Sequence, residues 1–211
     1  MSGRIVTIGH SNHSLDVFVD LLKSHAIDSV ADVRSHPYSR FSPHFSRDQL
    51  QPALRSQEIQ YVFLGRELGA RREERDCYVD GQARYDLIIR LPSFREGIAR
   101  VIRGCAKFNV ALMCSEKDPI DCHRLVLICR ELRNMDVSIS HVREDGSLET
   151  QEDCESRLLC LAELPPGDLF SSREQMVNLA YDHQARKIAW SEQRTPSGAA
   201  EVDLSSGEEE S

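Results

Sequence analysis

The chain has 211 residues, of which 40% are hydrophobic, and a formal net charge of −8. This length suits one domain with its own core, and the negative charge argues against broad nucleic-acid binding. No stretch approaches the ~20 apolar residues of a membrane span, and the start MSGRIVTIGH lacks the long apolar region of a signal peptide. Seven cysteines without a repeating spacing favour free thiols over disulfides. We therefore expect a cytoplasmic or nuclear protein with no membrane contact.

Five short apolar segments, rich in β-branched residues and bounded by turn residues, predict buried strands. Helical patterns lie between them, and a last helix is predicted over SREQMVNLAYDHQARKIAW. Such alternation is typical of a parallel sheet covered on both faces. We predict an α/β fold, a single domain over residues 1–190 with a mostly parallel sheet of about five strands and helices on both faces. The predicted strands are 4–9, 27–33, 60–65, 109–114 and 137–142.

Several of the predicted helices begin at recognisable caps. Ser14 precedes the first helical pattern and is a favoured N-cap residue. Ser46 with Gln49, and Ser93 with Glu96, have the spacing of capping boxes. We expect the side chains of these serines to accept hydrogen bonds from the first turn of each helix.

The end of the chain is predicted to be a disordered acidic tail over residues 191–211. Within it, Val202, Asp203 and Leu204 precede serines and glutamates. This short apolar-acid-apolar pattern is similar to a SUMO-interacting motif, which binds by adding a strand to the edge of a partner's sheet. A SUMO-like protein is therefore one predicted partner.

The carboxyl ends of parallel strands are where open α/β sheets bind ligands. Unusual polar residues follow several of the predicted strands, so we expect a functional rim at this edge. Its predicted members are His10, Ser11 and His13 after the first strand, Asp32, Arg34, His36 and Arg40 after the second, Arg66 and Glu67 after the third, Cys114, Glu116, Cys122, His123 and Arg124 after the fourth, and His141 near the end of the fifth.

Two carboxylates at this rim are candidates for general acid and base, namely Asp32 and Glu116. In a purely structural alternative, Asp32 forms a salt bridge with Arg34 and Glu116 caps a turn. The guanidinium groups of Arg34, Arg40 and Arg124 can grip a phosphate or carboxylate in a bidentate manner. They can equally pair with the neighbouring acids, and the sequence leaves both interpretations open.

The thiols offer a second kind of chemistry. Asp118 followed by Pro119 predicts a helix start, which places Cys122 in the first turn. Backbone N–H groups and the helix dipole favour a thiolate there. Cys114 ends a strand and is either a nucleophile or a core residue, and His10 is either catalytic or a hydrogen-bonding partner within its turn.

Some of the same residues are possible metal ligands. Cys114, Cys122, His123 and an N-terminal histidine are ligand types for zinc or iron. The spacing Cys-x7-Cys-His is not a standard zinc pattern, however, and the chain has no CxxC. It also lacks a Walker loop, a GxGxxG fingerprint, a GxSxG elbow and an HExxH helix. We therefore expect no metal and no cofactor.

Four segments together resemble the domain of unknown function 488 family: IGHS, DVR followed by P and SR, LGxxLG, and CxEKxPxxCHR. The resemblance extends over about residues 5–190 and implies an α/β fold with one shared site. Members of this family are often associated with DNA repair. From the matching residues we expect Asp32, Glu116, Cys114, Cys122 and His10 to be catalytic, and Ser11, Arg34, Ser39, Arg40, His123 and Arg124 to bind substrate.

Three functions follow from these observations. The first is an enzyme, such as a hydrolase or glycosidase, that acts on a phosphate-bearing or nucleic-acid-derived substrate with carboxylate acid/base residues and arginine clamps. The second is a non-catalytic nucleic-acid-binding or adaptor module, because residues 34–75 hold eight arginines against five acids. The third is a thiol redox or metal-binding protein. The cysteine, glutamate and histidine cluster favours the first over the second, since phosphate binding alone has no use for thiols.

Overall fold

The structure is a computed structural model that describes residues 3–39, 41–167 and 170–192. Its main sheet places the predicted strands side by side, and two shorter strands form a separate hairpin. The strands of the main sheet are β1 (Gly3–Gly9), β2 (Ser29–Asp32), β3 (Gln60–Phe63), β6 (Val110–Cys114), β7 (Val137–Val142) and β8 (Leu148–Thr150), and those of the hairpin are β4 (Tyr78–Val79) and β5 (Gln82–Ala83).

The main sheet has the strand order β3-β2-β6-β1-β7-β8. All neighbours are parallel except β7 and β8, which pair antiparallel. The predicted α/β fold is therefore confirmed, with the antiparallel edge strand β8 and the β4–β5 hairpin as additions. Gly9 of β1 and Asp32 of β2 lie in register with Cys114 and Met113 of β6, so three strands end side by side.

Helices connect the strands and flank the sheet. The segment after β6 is unusual because it forms a short 3-10 turn and then a π-helical turn, a feature that is frequent at functional sites. The helices are α1 (Leu15–Ser24), α2 (Arg47–Ser56), α3 (Gly65–Leu68), α4 (Tyr85–Ile88), α5 (Pro92–Cys105), the π-helical turn Arg124–Cys129, α6 (Arg130–Leu132), α7 (Gln151–Leu161) and α8 (Arg173–Ile188), with 3-10 turns at Pro43–Phe45, Arg75–Cys77 and Pro119–Asp121.

The two faces of the sheet bury separate apolar cores. Successive residues of a strand point to opposite faces, so Ile5 joins one core and Val6 the other. On one face, Phe18 of α1 and Leu54 of α2 cover the sheet. On the other, α5, α8 and the π-helical turn contribute fully buried residues such as Tyr181. The sheet is thus covered on both sides, and its free polar edge is the rim where the strands end.

The predicted helix caps are confirmed in part. Ser14 accepts a hydrogen bond from the first turn of α1 as expected. The capping box predicted at Ser46 is wrong, because the Ser46 hydroxyl instead accepts the N–H of Ser39 and makes no cap bond to α2. The one predicted at Ser93 is also wrong, because α5 already begins at Pro92. A proline suits the first helical position, since its fixed φ is helical and its missing N–H costs nothing there.

The last helix leads back to the hairpin. Ser191, the first residue of the predicted tail, pairs with Gln82, and the N–H of Glu192 donates to the carbonyl of Gly81. The predicted SUMO-like motif at Val202, Asp203 and Leu204 lies outside the described residues, as does Arg40. Within the described ranges, no helix combines the length and apolarity needed to cross a bilayer.

Candidate active site at the carboxyl edge of the sheet

The rim predicted from the sequence brings together three distant parts of the chain. His10 and Ser11, after β1, donate their N–H groups to the carbonyls of Cys114 and Ser115 at 2.9 and 3.0 Å. Parallel pairing thus continues beyond the strand ends. Ser11 has a positive φ of 46°, so the chain turns sharply there.

Asp32 is the most completely satisfied carboxylate of the rim. It is fully buried, and its two oxygens accept four hydrogen bonds. Oδ1 binds the backbone N–H of Arg34 at 3.1 Å and its Nε at 2.9 Å. Oδ2 binds Nη2 of Arg34 at 2.6 Å and the hydroxyl of Tyr61 at 2.7 Å. This is the salt bridge that the sequence left open as the alternative to acid/base chemistry, and it leaves no lone pair directed at a ligand.

Arg34 is held from three sides. Besides Asp32, its Nη2 donates to the carbonyl of Phe45 at 2.9 Å, and its Nη1 lies 3.2 Å from Nε2 of His10. A guanidinium has five N–H donors, and these contacts occupy four of them. One N–H of Nη1 is left for a ligand, and Arg34 lines a pocket.

His10 is a neutral support for this guanidinium. Its ring stacks on Phe45 with centroids 4.2 Å apart, and its Nδ1 lies 3.1 Å from the carbonyl of Ser11. Nδ1 is therefore assigned as the N–H donor, which leaves Nε2 free to accept from Arg34. Burial, with the neighbouring charge of Arg34, lowers the pKa of His10 to about 4. A neutral, fully engaged imidazole positions Arg34 rather than transferring protons.

A second buried arginine fixes the loop that carries Glu116. Arg124 has no exposed surface, and its Nη1 and Nη2 donate to the carbonyls of Glu116 and Lys117 at 2.5 and 3.0 Å. Its Nε has no hydrogen-bond partner among the described residues. Because the guanidinium is enclosed, Arg124 cannot reach a substrate, and its position fits a structural role in the loop.

Close contact between β1 and this loop depends on a glycine. A Cβ atom at Gly9 would lie 1.8 Å from the carbonyl oxygen of Glu116 and 3.1 Å from Nη1 of Arg124. Any side chain there would displace the loop, so Gly9 is required for the backbone to pass beneath Glu116.

Two thiols, a carboxylate and an imidazole converge above β6. Oε2 of Glu116 accepts from the thiols of Cys114 and Cys122 at 2.8 and 2.9 Å. Nδ1 of His123 lies 3.6 Å from Sγ of Cys114 and 3.8 Å from Sγ of Cys122. Nε2 of His123 lies 2.9 Å from the carbonyl of Val33. Nε2 is therefore assigned as the N–H donor, and the lone pair of Nδ1 faces the two thiols.

Cys122 lies just before the π-helical turn in an extended conformation, not in a first helical turn as predicted, because the 3-10 turn ends at Asp121. Its sulfur still accepts the N–H of Arg124 at 3.4 Å. Desolvation disfavours both buried thiolates. A hydrogen bond from Cys114 and the charge of Arg124 nevertheless lower the pKa of Cys122, while the pKa of Cys114 is raised. Although Glu116 as a residue is more exposed, desolvation beside the thiols raises its pKa as well.

A pocket of about 300 Å³ opens onto this cluster. Cys114, Glu116, His123 and Arg34 are among its lining residues. Of the remaining lining residues, His36 belongs to the predicted rim, whereas Arg71, Tyr85, Asp121 and Trp190 were not predicted as site residues. Most come from loops and from the end of α8, where no strand or motif marked them.

A larger groove of about 1080 Å³ adjoins this pocket. Both are lined by Arg71 and Trp190, and the guanidinium of Arg71 stacks over the indole ring 4.6 Å from its centroid. Arg66 is exposed in the same groove, whereas Arg72 forms a salt bridge with Glu74. Arg75 is likewise paired with Glu192, so Arg66 and Arg71 outweigh only the carboxylate of Glu73, and the groove carries a small net positive charge.

The other predicted site residues lie apart from the pocket. Ser39 is half-buried, and its hydroxyl accepts the N–H of Ser42 in a turn. Ser11 is a turn residue beside Ser115. Neither lines the pocket, and Arg40 lies outside the described residues. The structure thus brings Cys114, Glu116, Cys122 and His123 together, with Arg34 at the edge of the same pocket.

Comparisons with known proteins place the chain in a family. Neither the curated proteins nor the solved structures give a significant match. The family model described as domain of unknown function DUF488 matches residues 14–130. This range is shorter than the resemblance seen in the sequence, but it contains Asp32, Arg34 and the whole segment from Cys114 to Arg124. Because the match covers more than half of the 211 residues, the chain belongs to the DUF488 family.

Proposed function

We propose that this protein is an enzyme that acts on a small phosphate-bearing or nucleic-acid-derived substrate. One observation carries the proposal: the same pocket is lined by reactive groups and by cationic and aromatic groups. Its volume of about 300 Å³ is at the small end of the range for ligand sites. A nucleobase or a sugar phosphate is a suitable occupant for a pocket of this size.

Recognition is assigned to Arg71, Trp190 and Arg34. The exposed guanidinium of Arg71 is the natural partner of a phosphate, which arginine can bind in a bidentate manner. The half-buried indole of Trp190, over which Arg71 stacks, adds an aromatic wall against which a base can pack. The remaining N–H of Arg34 adds one fixed donor, because the other four are already engaged.

The chemistry is assigned to three of the lining residues, Cys114, Glu116 and His123. Glu116 is the more accessible of the two predicted acid/base carboxylates, and hydrolysis of a phosphate ester or glycosidic bond requires such a group. Asp32 acts in this proposal as a positioning residue for Arg34, because its oxygens are fully hydrogen-bonded.

The adaptor alternative receives less support. It required the eight arginines of residues 34–75 to form a surface for phosphate contacts. Arg34 and Arg72 are instead buried and paired with Asp32 and Glu74. A catalytic pocket accounts for the thiols and the arginines together, which a phosphate-binding surface does not.

Two finer parts of the proposal concern the cell. We propose a role in DNA repair on the basis of the resemblance, and a cytoplasmic or nuclear location on the basis of seven cysteines without a repeating spacing. Recruitment of a SUMO-like partner through Val202, Asp203 and Leu204 would be tested by titrating the isolated tail peptide against SUMO in solution. If the peptide does not bind SUMO at millimolar concentration, a SUMO-like partner is excluded.

The binding half of the proposal is tested by calorimetry with nucleoside monophosphates and their dephosphorylated nucleosides. We expect the phosphorylated forms to bind more tightly, and Arg71→Gln to remove most of this difference. Arg55→Gln, an exposed arginine of α2 away from the pocket, is the matched control and should bind like the wild type. Equal binding of nucleosides and nucleotides, or an equal loss in both variants, would contradict the proposal.

The catalytic half is tested by incubating the protein with nucleotides and with single-stranded oligonucleotides that carry modified bases. Products are identified by mass spectrometry. For any substrate found, Glu116→Gln is expected to slow turnover by roughly 10²- to 10⁴-fold, because that is the usual contribution of a general acid or base. A variant with full activity would show that Glu116 is not that group.

A further inference from the structure

We infer that Cys114, Glu116, Cys122 and His123 form a binding site for one Zn²⁺ ion. One donor atom from each of the four residues lies within 4.8 Å of the others. The inference revises one assignment of the proposed function, because a Glu116 carboxylate bound to zinc is not available as a general acid or base. It is tested separately, because zinc binding is measured without any substrate.

The distances from His123 to the two sulfurs fit a tetrahedral ion, whereas Glu116 must move to take its place as a ligand. With zinc bonds of about 2.0–2.3 Å, neighbouring ligand atoms of a tetrahedral site lie about 3.3–3.8 Å apart. Nδ1 of His123 lies 3.6 and 3.8 Å from the sulfurs of Cys114 and Cys122, inside that range. Glu116 lies closer, at 2.8 and 2.9 Å. Its side chain is the exposed one of the four and can move outward to admit an ion.

The imidazole is already oriented as a ligand. Nε2 of His123 lies 2.9 Å from the carbonyl of Val33, which directs the lone pair of Nδ1 at the thiols. Metal-binding histidines usually donate their second N–H to a carbonyl or carboxylate in this way, which fixes the ring and its tautomer. Because this support comes from β2, the site links the ends of two neighbouring strands.

The charge of the surroundings provides an independent argument. Two thiolates, one carboxylate and a Zn²⁺ ion carry together one negative charge. Arg124 lies fully buried beside this cluster and is hydrogen-bonded to backbone carbonyls rather than to a carboxylate. A buried cation needs a nearby negative charge, and the acidic groups beside Arg124 are Cys122, Cys114 and Glu116 of the cluster. A zinc complex with one negative charge would compensate it.

The donor set selects zinc over harder ions. Two sulfur ligands disfavour Mg²⁺ and Ca²⁺, which prefer oxygen, and a mixed sulfur, nitrogen and oxygen tetrahedron is typical of zinc. The unusual spacing that argued against a metal in the sequence is explained by the fold. The 3-10 turn Pro119–Asp121 returns the chain toward β6, so Cys122 and His123 meet Cys114 without a CxxC motif.

The experiment measures metal content of the full chain purified from zinc-supplemented cells by elemental mass spectrometry. We expect about one zinc per chain in the wild type and a loss of bound zinc in Cys122→Ser and in His123→Gln. Cys129→Ser removes a buried cysteine outside the cluster and should keep its zinc. Circular dichroism shows whether each variant is folded.

Cobalt substitution keeps the test valid if a variant fails to fold. Co²⁺ added to the metal-free wild-type protein should give thiolate-to-metal charge-transfer bands and the intense visible bands of a tetrahedral site. Glu116→Gln keeps three ligands and should bind zinc roughly 10- to 100-fold more weakly, as measured by competition with a chromophoric chelator. A wild-type protein that takes up neither ion at micromolar concentration would overturn the inference, as would zinc binding that the three ligand variants retain unchanged.

Discussion

Replacing Asp32 by asparagine tests how the rim of the sheet is held together. The carboxylate is fully buried and bonds Arg34 through both oxygens, with the Tyr61 hydroxyl as a further donor. An asparagine of the same size keeps one oxygen but turns an N–H₂ group toward donors. It also leaves the guanidinium of Arg34, itself only 4% exposed, without its counter-charge.

The expected loss of stability is large for a single isosteric substitution. Removing one partner of a buried ion pair usually costs about 3–5 kcal/mol, because the other charge remains desolvated and unpaired. We therefore expect Asp32→Asn to lower the free energy of unfolding by about 4 kcal/mol, out of the 5–15 kcal/mol typical of a domain. Tyr61→Phe deletes only one hydrogen bond to the same carboxylate and should cost about 1–2 kcal/mol.

Urea denaturation followed by circular dichroism measures these losses. Asp20→Asn changes an exposed aspartate on α1 and should stay within about 0.5 kcal/mol of the wild type. The double variant Asp32→Asn with Arg34→Gln removes both charges and should be more stable than the sum of the single losses predicts. An Asp32→Asn protein as stable as the Asp20 control would refute the buried ion pair as the support of this edge.

Two further predictions concern packing and pH. Gly9→Ala should destabilise the protein by about 3 kcal/mol and weaken zinc binding, because its Cβ would lie 1.8 Å from a backbone oxygen of the Glu116 loop. Gly104→Ala, with 3.7 Å to the nearest atom, should be neutral or stabilising in the same urea titration. Burial lowers the pKa of His141 from 6.5 to about 4. Between these values the unfolded chain binds a proton that the folded chain does not, so stability should fall by up to about 3 kcal/mol as the pH drops from 6.5 to 4. His10 contributes with the same sign, and His141→Gln should flatten the profile; an unchanged slope would contradict the assignment.

Much of the fold was accessible from the sequence because its strands are strongly patterned. The segment Val137–Val142 was predicted with its observed limits, since β-branched residues and flanking turns mark it clearly. The strand Leu148–Thr150 was missed because three residues give no periodicity. The prediction of a cap at Ser93 was wrong for a different reason. The neighbouring Pro92 also favours a helix start, and local patterns do not show at which of the two residues the helix begins.

The strand-end rule predicted which residues lie together at the candidate site, but it did not predict the different surroundings of the two carboxylates. Asp32 and Glu116 look alike in the sequence, since each carboxylate follows an apolar strand. Distant residues distinguish them, because Tyr61 and Arg34 saturate Asp32 whereas Glu116 faces two thiols. Trp190 could not be predicted as a pocket residue, because its place depends on where the last helix ends on the hairpin.

The distribution of charge around the pocket predicts how a substrate would lie in it. Asp32 and Arg34 form a neutral pair, so that wall offers a hydrogen-bond donor but little attraction for an anion. Arg71 is exposed at the boundary with the larger groove and supplies a net positive charge there. An anionic group is therefore drawn toward Arg71 and Trp190, and the uncharged part of the substrate extends toward Cys114 and the proposed zinc ion. Because an exposed arginine is screened by salt, binding of the anionic part should weaken as ionic strength rises, whereas zinc affinity should not.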